Sequence, residues 1–267
     1  MLFLFFIRQF ESFFQQGYGM IFYGHYRVTN DKKGDNMIGC LCLHGFTGSP
    51  YEVEPVTRYL EEHTDWLISV PTYPGHGEQL MLKGITHKLW IDEAERAFLE
   101  LRKKSDTLYI LGFSMGGIIG GYLASKYGCD KLILLSASAY YMNPAQMMKD
   151  IKDMIIKGMR GTLKDDELYL RYRKKFMDTP LSATFEFRKL VKTLKPSFRA
   201  IDVPTLIIQG ECDGLVPRKS AEYIYKTIPS KRKKLCYLKE SKHMICHDVN
   251  QEQLIEEVFQ FLMEPTK

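Results

Sequence analysis

The chain has 267 residues, 45% of them hydrophobic and 26% charged, and its formal net charge is +5. This length allows one large domain, with or without a modest insertion, and the composition is that of an ordinary globular protein. Basic side chains are scattered among acidic ones, which argues against a nucleic-acid-binding protein. The one dense basic run, Lys231 to Lys234, fits a solvated loop, with a docking patch as the alternative.

The first sixteen residues are rich in apolar side chains. The run from Leu2 to Ile7 is far shorter than the roughly 20 residues that span a bilayer, and it lacks the charge and cleavage pattern of a signal peptide. Apolar residues recur at helical spacing through residues 1–16, so one interpretation is an amphipathic helix in weak contact with a membrane surface or a partner. The other is a simple extension, residues 1–19, ahead of a domain that begins near Met20.

Six cysteines are present, at positions 40, 42, 129, 212, 236 and 246. They form no CxxC pair, and no signal peptide indicates an oxidising compartment, so we expect free thiols in a cytoplasmic protein. Cys40 and Cys42 are expected to point to opposite faces of one strand.

Apolar strand-like runs alternate with amphipathic helical segments from Met37 onward. The predicted strands are 37–43, 67–70, 107–111, 132–135, 205–209 and 235–238. Predicted helices follow Ser49 and span 88–104 and 115–127, and further helical segments follow the last two strands. The first helix has a start signal, since Ser49 can cap it, Pro50 suits its first position and Glu52 completes a capping box. The alternation predicts an α/β fold with a mostly parallel central sheet and helices on both faces.

Residues 142–195 interrupt this alternation. The segment is charged, contains no convincing strand and holds six of the thirteen methionines. We predict a helical cap inserted between two parts of the core, residues 20–141 and 196–267. Flexible, polarisable methionine side chains suit a surface that binds varied acyl chains, which makes the cap a candidate for substrate binding. The alternative is that they pack the cap against the core, and the two interpretations are compatible.

The segment from Gly112 to Gly116 is a G-x-S-x-G motif between a predicted strand and a predicted helix. A sharp strand-to-helix turn at this motif exposes the serine hydroxyl above the edge of the sheet. Ser114 is therefore the candidate nucleophile. A serine hydroxyl is weakly nucleophilic at neutral pH, so it needs a base that takes its proton.

Histidine and an acid are the expected partners of Ser114, and in folds with this motif they follow the serine in the order acid, then histidine. His243 lies in a loop after the strand 235–238, whereas its rival His247 falls in the segment that leads to the final helix. Asp213 lies in a loop after the strand 205–209, where it can orient the imidazole. Glu211 is the nearest rival acid, and Asp202 precedes the strand, at the wrong end of the sheet.

Acyl transfer also needs two donors for the oxyanion of the tetrahedral intermediate. The backbone amide of Met115, directly after the nucleophile, is one candidate. The second is expected from the loop after the first core strand, residues 44–48, and we assign it to the amide of Phe46. His44 is expected to brace this loop.

Five segments carry a resemblance to a known group of enzymes. They are His44 to Gly48, Pro74 to Gly77, Gly112 to Gly116, Gly210 to Asp213, and Ser241 to His243. Together they resemble the bacterial carboxylesterase and monoacylglycerol lipase group of the α/β-hydrolase superfamily, over a stretch from about Ile38 to Phe261. The resemblance implies the α/β-hydrolase fold, a small helical cap and hydrolysis of short- to medium-chain esters or monoacylglycerols, without a metal or an organic cofactor. It implies Ser114, Asp213 and His243 as the triad and Phe46 and Met115 as oxyanion donors, whereas the amphipathic N-terminus departs from it.

The predicted triad identifies acyl transfer better than it identifies the leaving group. A thioesterase, a peptidase and a carbon–carbon bond hydrolase are alternatives on the same fold. A ligand-binding protein that has lost catalysis is a further alternative, but such proteins usually lack a triad residue or an oxyanion glycine. The sequence leaves the natural ester, the acyl chain length and the oligomeric state open.

Overall fold

The computed structural model describes residues 37–140 and 179–265. Six strands form one sheet: β1 (Ile38–Leu43), β2 (Leu67–Ser69), β3 (Thr107–Phe113), β4 (Lys131–Leu135), β5 (Thr205–Gly210) and β6 (Lys233–Leu238). Their spatial order is β2-β1-β3-β4-β5-β6, and every neighbouring pair is parallel. All carboxyl ends therefore lie along one edge of the sheet, where parallel α/β sheets place their sites.

The described helices are α1 (Glu54–His63), α2 (His87–Arg102), α3 (Met115–Tyr127), α4 (Leu181–Leu194), α5 (Arg218–Thr227) and α6 (Gln251–Met263). Three short 3₁₀ turns accompany them, at Pro50–Val53, Lys195–Ala200 and Ile245–His247. The apolar side chains of α1 and α6 pack on one face of the sheet, and those of α2, α3, α4 and α5 pack on the other. The prediction of an α/β fold with a mostly parallel sheet covered on both faces is confirmed.

Alternate residues of each strand enter the two core layers because successive side chains of a strand point to opposite faces. In β3, for example, Leu108 and Ile110 join one layer, and Tyr109 and Leu111 join the other. Both layers are apolar, so most residues of the inner strands β1, β3, β4 and β5 are hydrophobic, as in parallel strands that are buried on two sides.

The predicted division into extension, core and cap stays a prediction. Residues 1–36 and 141–178 lie outside the described residues, and so do the proposed amphipathic helix and most of the methionine-rich segment. Helix α4 is the described part of the predicted cap, and it contacts α2 and α3. Among the residues that the structure describes, no helix is long and apolar enough to cross a membrane.

Two local predictions were wrong. Residues two apart in a strand share a face, so Cys40 and Cys42 lie side by side in one core layer with their sulfur atoms 3.6 Å apart. The Ser49 side chain makes no cap hydrogen bond, and the 3₁₀ turn separates it from α1. The Glu52 carboxylate instead accepts a hydrogen bond from the backbone amide of Gly45, 2.7 Å away, because that buried amide needs an acceptor.

Candidate active site

Ser114 is the single residue between β3 and α3. Its backbone has φ of +52° and ψ of −112°, a conformation that non-glycine residues rarely adopt. The chain turns so tightly here that a Cβ atom on Gly112 would lie 2.3 Å from the carbonyl oxygen of Gly116. A Cβ atom on Gly116 would lie 2.2 Å from the carbonyl oxygen of Leu43. Both glycines of the motif are therefore required by close backbone contacts, and the strained turn presents the Ser114 side chain at the carboxyl edge.

His243 joins Ser114 to Asp213. Its Nε2 atom is 3.0 Å from Ser114 Oγ, and its Nδ1 atom is 2.8 Å from Asp213 Oδ2. The imidazole also packs against the ring of Phe113, with centroids 5.0 Å apart. Three residues from three different loops thus form one hydrogen-bonded chain.

Close contacts between the loops after β5 and β6 bring Asp213 and His243 together. A Cβ atom on Gly210 would lie 2.4 Å from the carbonyl oxygen of Ser241, so only glycine lets the two loops approach this closely. The amide of Cys212 donates to the same carbonyl oxygen at 2.9 Å. On the far side of the His243 loop, the Ser241 hydroxyl donates to Asn250 Oδ1 at 2.8 Å.

Four donors hold the Asp213 carboxylate, which is 1% exposed. Oδ2 accepts from His243 and from Gln209 Nε2 at 2.7 Å. Oδ1 accepts from the backbone amides of Leu215 and Val216, at 2.9 and 2.8 Å. The carboxylate is satisfied on both oxygens and cannot rotate away from the imidazole without losing these bonds.

Burial and the charge of the partner shift the pKa values of Asp213 and His243 in opposite directions. Burial by itself raises the pKa of the Asp213 carboxyl, but the charge and hydrogen bond of His243 and the two backbone amides hold that pKa below its usual value. Burial by itself lowers the pKa of His243, but the charge and hydrogen bond of Asp213, and then the charge of Glu52, raise it above 6.5. The arrangement favours an imidazolium paired with a carboxylate, which suits a histidine that accepts a proton during a reaction.

The loop after β1, residues 44–48, passes directly beside Ser114. A Cβ atom on Gly45 would lie 3.2 Å from Ser114 Cβ. His44 is fully buried and braces the loop as expected, since its Nδ1–H donates to the carbonyl of Gly45 at 2.9 Å. Among the described residues, the amide of Phe46 donates no hydrogen bond, so it is available to an oxygen atom bound near Ser114. Its phenyl ring stacks on Phe187 of α4, with centroids 4.9 Å apart.

The rival candidates lie elsewhere. His247 Nε2 is 2.7 Å from the carbonyl oxygen of Tyr51, and its ring stacks on the Tyr51 ring. Glu211 faces Arg218, with an N···O distance of 3.6 Å. Within the described ranges 37–140 and 179–265, no group of three or more His, Cys, Asp or Glu side chains is placed to hold a metal ion.

Sequence reasoning missed one residue that touches Ser114. Ser138 lies just after β4, and its Oγ atom is 3.0 Å from Ser114 Oγ. The signal that could have found it is topological: β4 is the neighbour of β3, and the carboxyl ends of parallel neighbours meet at one edge. Glu52 was predicted to take part in a helix cap, but its carboxylate anchors the 44–48 loop.

Comparison with known proteins gives the family. Residues 39–250 match the hydrolase family described as serine aminopeptidase, S33. A thermostable monoacylglycerol lipase from Bacillus sp. (strain H-257) is 25% identical over 232 residues, which cover 84% of this chain and 90% of that protein. A carboxylesterase from Bacillus subtilis (strain 168) is 25% identical over 235 residues, which cover 86% and 94%.

A solved structure supports the fold. The structure reported for the metagenome-derived lipolytic enzymes LipS and LipT has a TM-score of 0.68 and 21% identity to this chain, with 85% of this chain and 94% of that chain covered. At this identity the likeness shows the fold alone, and it agrees with the parallel sheet described above. The chain therefore belongs to the serine aminopeptidase S33 family of hydrolases, and it is a serine hydrolase of the α/β-hydrolase fold.

Proposed function

We propose that the protein hydrolyses carboxylic esters, with Ser114 as nucleophile, His243 as general base and Asp213 as the residue that orients the base. A single geometric feature carries the proposal: His243 bridges Ser114 Oγ at 3.0 Å and Asp213 Oδ2 at 2.8 Å, next to a strained strand-to-helix turn. The monoacylglycerol lipase and carboxylesterase relatives support an ester as the substrate, in preference to the other acyl compounds that this chemistry can cleave.

Acylation begins with neutral His243. Its Nδ1–H donates to Asp213, which leaves a lone pair on Nε2 that takes the hydroxyl proton of Ser114. Ser114 Oγ attacks the ester carbonyl, and the carbonyl oxygen becomes an oxyanion that the backbone amides of Phe46 and Met115 bind. When the tetrahedral intermediate collapses, the imidazolium gives its proton to the departing alcohol, and an acyl group remains on Ser114.

Deacylation repeats these steps with water. His243 removes a proton from a water molecule that attacks the acyl carbon, and the same two amides bind the second oxyanion. Collapse breaks the bond to Ser114 Oγ, which recovers its proton from His243 as the acid leaves. The side chains and amides named here carry every step, without a metal or an organic cofactor.

The proposed substrates are short- to medium-chain esters or monoacylglycerols. Residues 142–195 are proposed to contribute to substrate binding, and the described part of this segment reaches the oxyanion loop through the Phe46–Phe187 stack. Weak contact of residues 1–16 with a membrane surface would suit substrates of low solubility. Residues 1–16 lie outside the described residues, so this membrane contact stays a prediction.

Hydrolysis of p-nitrophenyl esters from acetate to palmitate tests the proposal, with Ser114→Ala as the inactive control. We expect the highest turnover with short or medium chains and its loss in the variant, with an unchanged circular dichroism spectrum. Near-normal activity of Ser114→Ala would exclude Ser114 as the nucleophile. Absence of ester hydrolysis in a protein that still reacts with a serine-directed phosphonate would indicate a different acyl substrate.

Peptide-bond hydrolysis is the second candidate, because the family is described as a serine aminopeptidase family. The same triad can cleave an amide when it protonates the leaving amine. Aminoacyl p-nitroanilides therefore belong in the same assay. Turnover of these amides above that of the esters would favour a peptidase.

A further inference from the structure

Ser138 contacts Ser114 through both its side chain and its backbone. Its Oγ atom lies 3.0 Å from Ser114 Oγ, and its amide donates to the Ser114 carbonyl at 3.2 Å. The side chains of Ser138 and Ser114 are nearly inaccessible to solvent, at 1% and 6% exposure. Within residues 37–140 and 179–265, Ser114 Oγ therefore has two side-chain neighbours at hydrogen-bond distance, His243 Nε2 and Ser138 Oγ.

The number of protons available decides the direction of these hydrogen bonds. Ser114 has one hydroxyl proton and two lone pairs. When neutral His243 donates Nδ1–H to Asp213, its Nε2 atom has only a lone pair, so Ser114 donates its proton there. No proton of Ser114 remains for Ser138, and the 3.0 Å contact must be a hydrogen bond from the Ser138 hydroxyl to Ser114 Oγ.

We propose that Ser138 is a further catalytic residue, whose hydroxyl donates to Ser114 Oγ and stabilises the negative charge that develops there during attack. This inference rests on the proposed role of Ser114 as nucleophile. Because Ser138 occupies one lone pair of Ser114 Oγ and His243 holds the proton, the second lone pair is the one that faces the substrate.

The electron and proton balance of the attack leaves Ser138 chemically unchanged. The O–H bond of Ser114 breaks and its proton moves to His243 Nε2. The free lone pair of Ser114 Oγ forms the new C–O bond, and the π electron pair of the substrate carbonyl moves to the carbonyl oxygen. Ser138 keeps its own proton throughout. When the bond to Ser114 Oγ breaks in deacylation, the same donor stabilises the departing oxygen.

The position of the Ser138 hydroxyl is fixed from the other side by helix α5. The Ser220 hydroxyl of α5 donates to the carbonyl of Ala137 at 2.6 Å and accepts from the amide of Tyr140 at 3.1 Å. These bonds hold the backbone on both sides of Ser138, one residue before it and two residues after it. A donor held in place before the reaction stabilises developing charge without reorganisation, and burial strengthens its effect.

Replacement of Ser138 by Ala tests this role, with Ser136→Ala as the matched control. The Ser136 hydroxyl lies two residues away and is fully buried, but it has no hydrogen-bond partner in the described part of the chain. Two rates are measured for each protein: hydrolysis of a p-nitrophenyl ester and the second-order reaction of Ser114 with a serine-directed phosphonate. Ser138→Gly repeats the loss of the hydroxyl in case the alanine variant does not fold.

We expect both rates of Ser138→Ala to fall on the order of tenfold to a hundredfold, the effect of losing a hydrogen bond to a group that gains charge. The temperature of thermal unfolding is expected to stay near that of the wild type. The pH at which activity is half lost on the acidic side is also expected to stay near the wild-type value, because Asp213 and Glu52 still raise the pKa of His243. The Ser136→Ala rates are expected to match wild type.

Wild-type rates in Ser138→Ala, or an equal loss in Ser136→Ala, would overturn the inference. A wild-type protein that reacts with the phosphonate but hydrolyses no ester would refute the ester proposal alone, and the phosphonate rates would still decide the role of Ser138. A wild-type protein whose Ser114 does not react with the phosphonate would refute both.

Discussion

Asp213 and Glu52 are two buried carboxylates that both raise the pKa of His243. Asp213 bonds directly to the imidazole and comes from the loop after β5, whereas Glu52 comes from the 3₁₀ turn after β1 and acts through its charge. Burial raises the pKa values of Tyr73 and Cys246, and the charge of Glu52 raises them further by a smaller amount. At the scale of single residues, both carboxylates favour the protonated form of His243, the proposed base.

The first prediction concerns the acid limb of the pH profile. A general base must be neutral, and the pKa of His243 lies above 6.5, so activity should decline as pH falls through a midpoint higher than 6.5. Asp213→Asn removes the charge that raises this pKa, so its remaining activity should persist to lower pH while turnover falls by about four orders of magnitude. Measurement of kcat/KM between about pH 5 and pH 8 decides, and a wild-type midpoint below 6.5 would contradict the prediction.

The second prediction concerns Glu52, which is 3% exposed and accepts from the Gly45 amide at 2.7 Å. Glu52→Ala leaves that buried amide without its acceptor, at an expected cost of about 1–3 kcal/mol in the free energy of unfolding. Gly45 directly precedes Phe46, whose amide is a proposed oxyanion donor. Displacement of this loop should therefore lower kcat more than it changes KM. Glu52→Gln keeps an acceptor and should be less affected, and exposed Glu54→Ala is the control. Equal effects of Glu52→Ala and Glu54→Ala would argue against a role of Glu52 in the loop.

At the scale of elements, helix α4 connects the predicted cap to the active-site loop. Phe187 of α4 stacks on Phe46, and the neighbouring Glu186 carboxylate accepts from both Nδ1 and the backbone amide of His87 at the start of α2, at 2.6 and 3.0 Å. The side chains of both members of this pair are largely buried. Displacement of α4 would therefore disturb the loop that carries the proposed oxyanion donor Phe46.

The third prediction follows from the Glu186 carboxyl, whose pKa is lowered to about 2 by hydrogen bonds from the His87 side chain, from Lys189 and from the His87 amide. A folded-state pKa below the ordinary 4.5 means that the ionised carboxylate stabilises the folded state above pH 4.5 and loses this effect as pH falls toward 2. Hydrogen exchange should show protection of α4 declining in this window. Glu186→Gln should lower the protection of α4 already above pH 4.5, and this protection should then show no additional decline between pH 4.5 and pH 2. Glu222→Gln on α5 is the control and should leave the protection of α4 as in wild type. Parallel pH dependence of α4 in wild type and Glu186→Gln would refute the prediction.

At the scale of the whole molecule, Lys131 connects the end of α6 to the centre of the sheet. Lys131 begins β4 and is 1% exposed. Its ammonium group donates to the carbonyl oxygens of Phe261 and Leu262 at 2.8 and 2.7 Å, and to that of Glu264. These carbonyls lie at the end of α6, where a helix has unpaired acceptors and a partial negative charge. One buried cation thus fixes the final helix against the sheet.

The fourth prediction is that Lys131→Met destabilises the whole fold. Methionine fills a similar volume but leaves the helix-end carbonyls without a donor. We expect the free energy of unfolding to fall by about 1.5–3 kcal/mol, the range for hydrogen bonds to a charged group. Urea unfolding provides the measurement, and Lys231→Met, at an exposed site, is the control. An unchanged midpoint in Lys131→Met would show that α6 is held by its apolar face alone.

Much of the site was predictable because its members occupy equivalent positions after successive strands. Ser114, Asp213 and His243 each come after the end of a strand, and parallel strands place such positions along one edge. The contact partners of these residues were not predictable in the same way. Ser138 and Glu52 carry no motif of their own, and their roles depend on which strands are neighbours and on where a loop turns back.

Sequence alone was enough to predict the fold class, the strand-to-helix turn at Ser114 and the order of the candidate acid and base along the chain. These are local or periodic properties, since alternating apolar runs and short glycine-rich turns can be recognised in consecutive residues. The folded chain was needed to show that Glu52 anchors a loop instead of capping a helix and that Lys131 binds the end of α6. In both cases the partner lies outside the residue's own helix or strand, because a buried polar group takes the partner that folding places nearest to it.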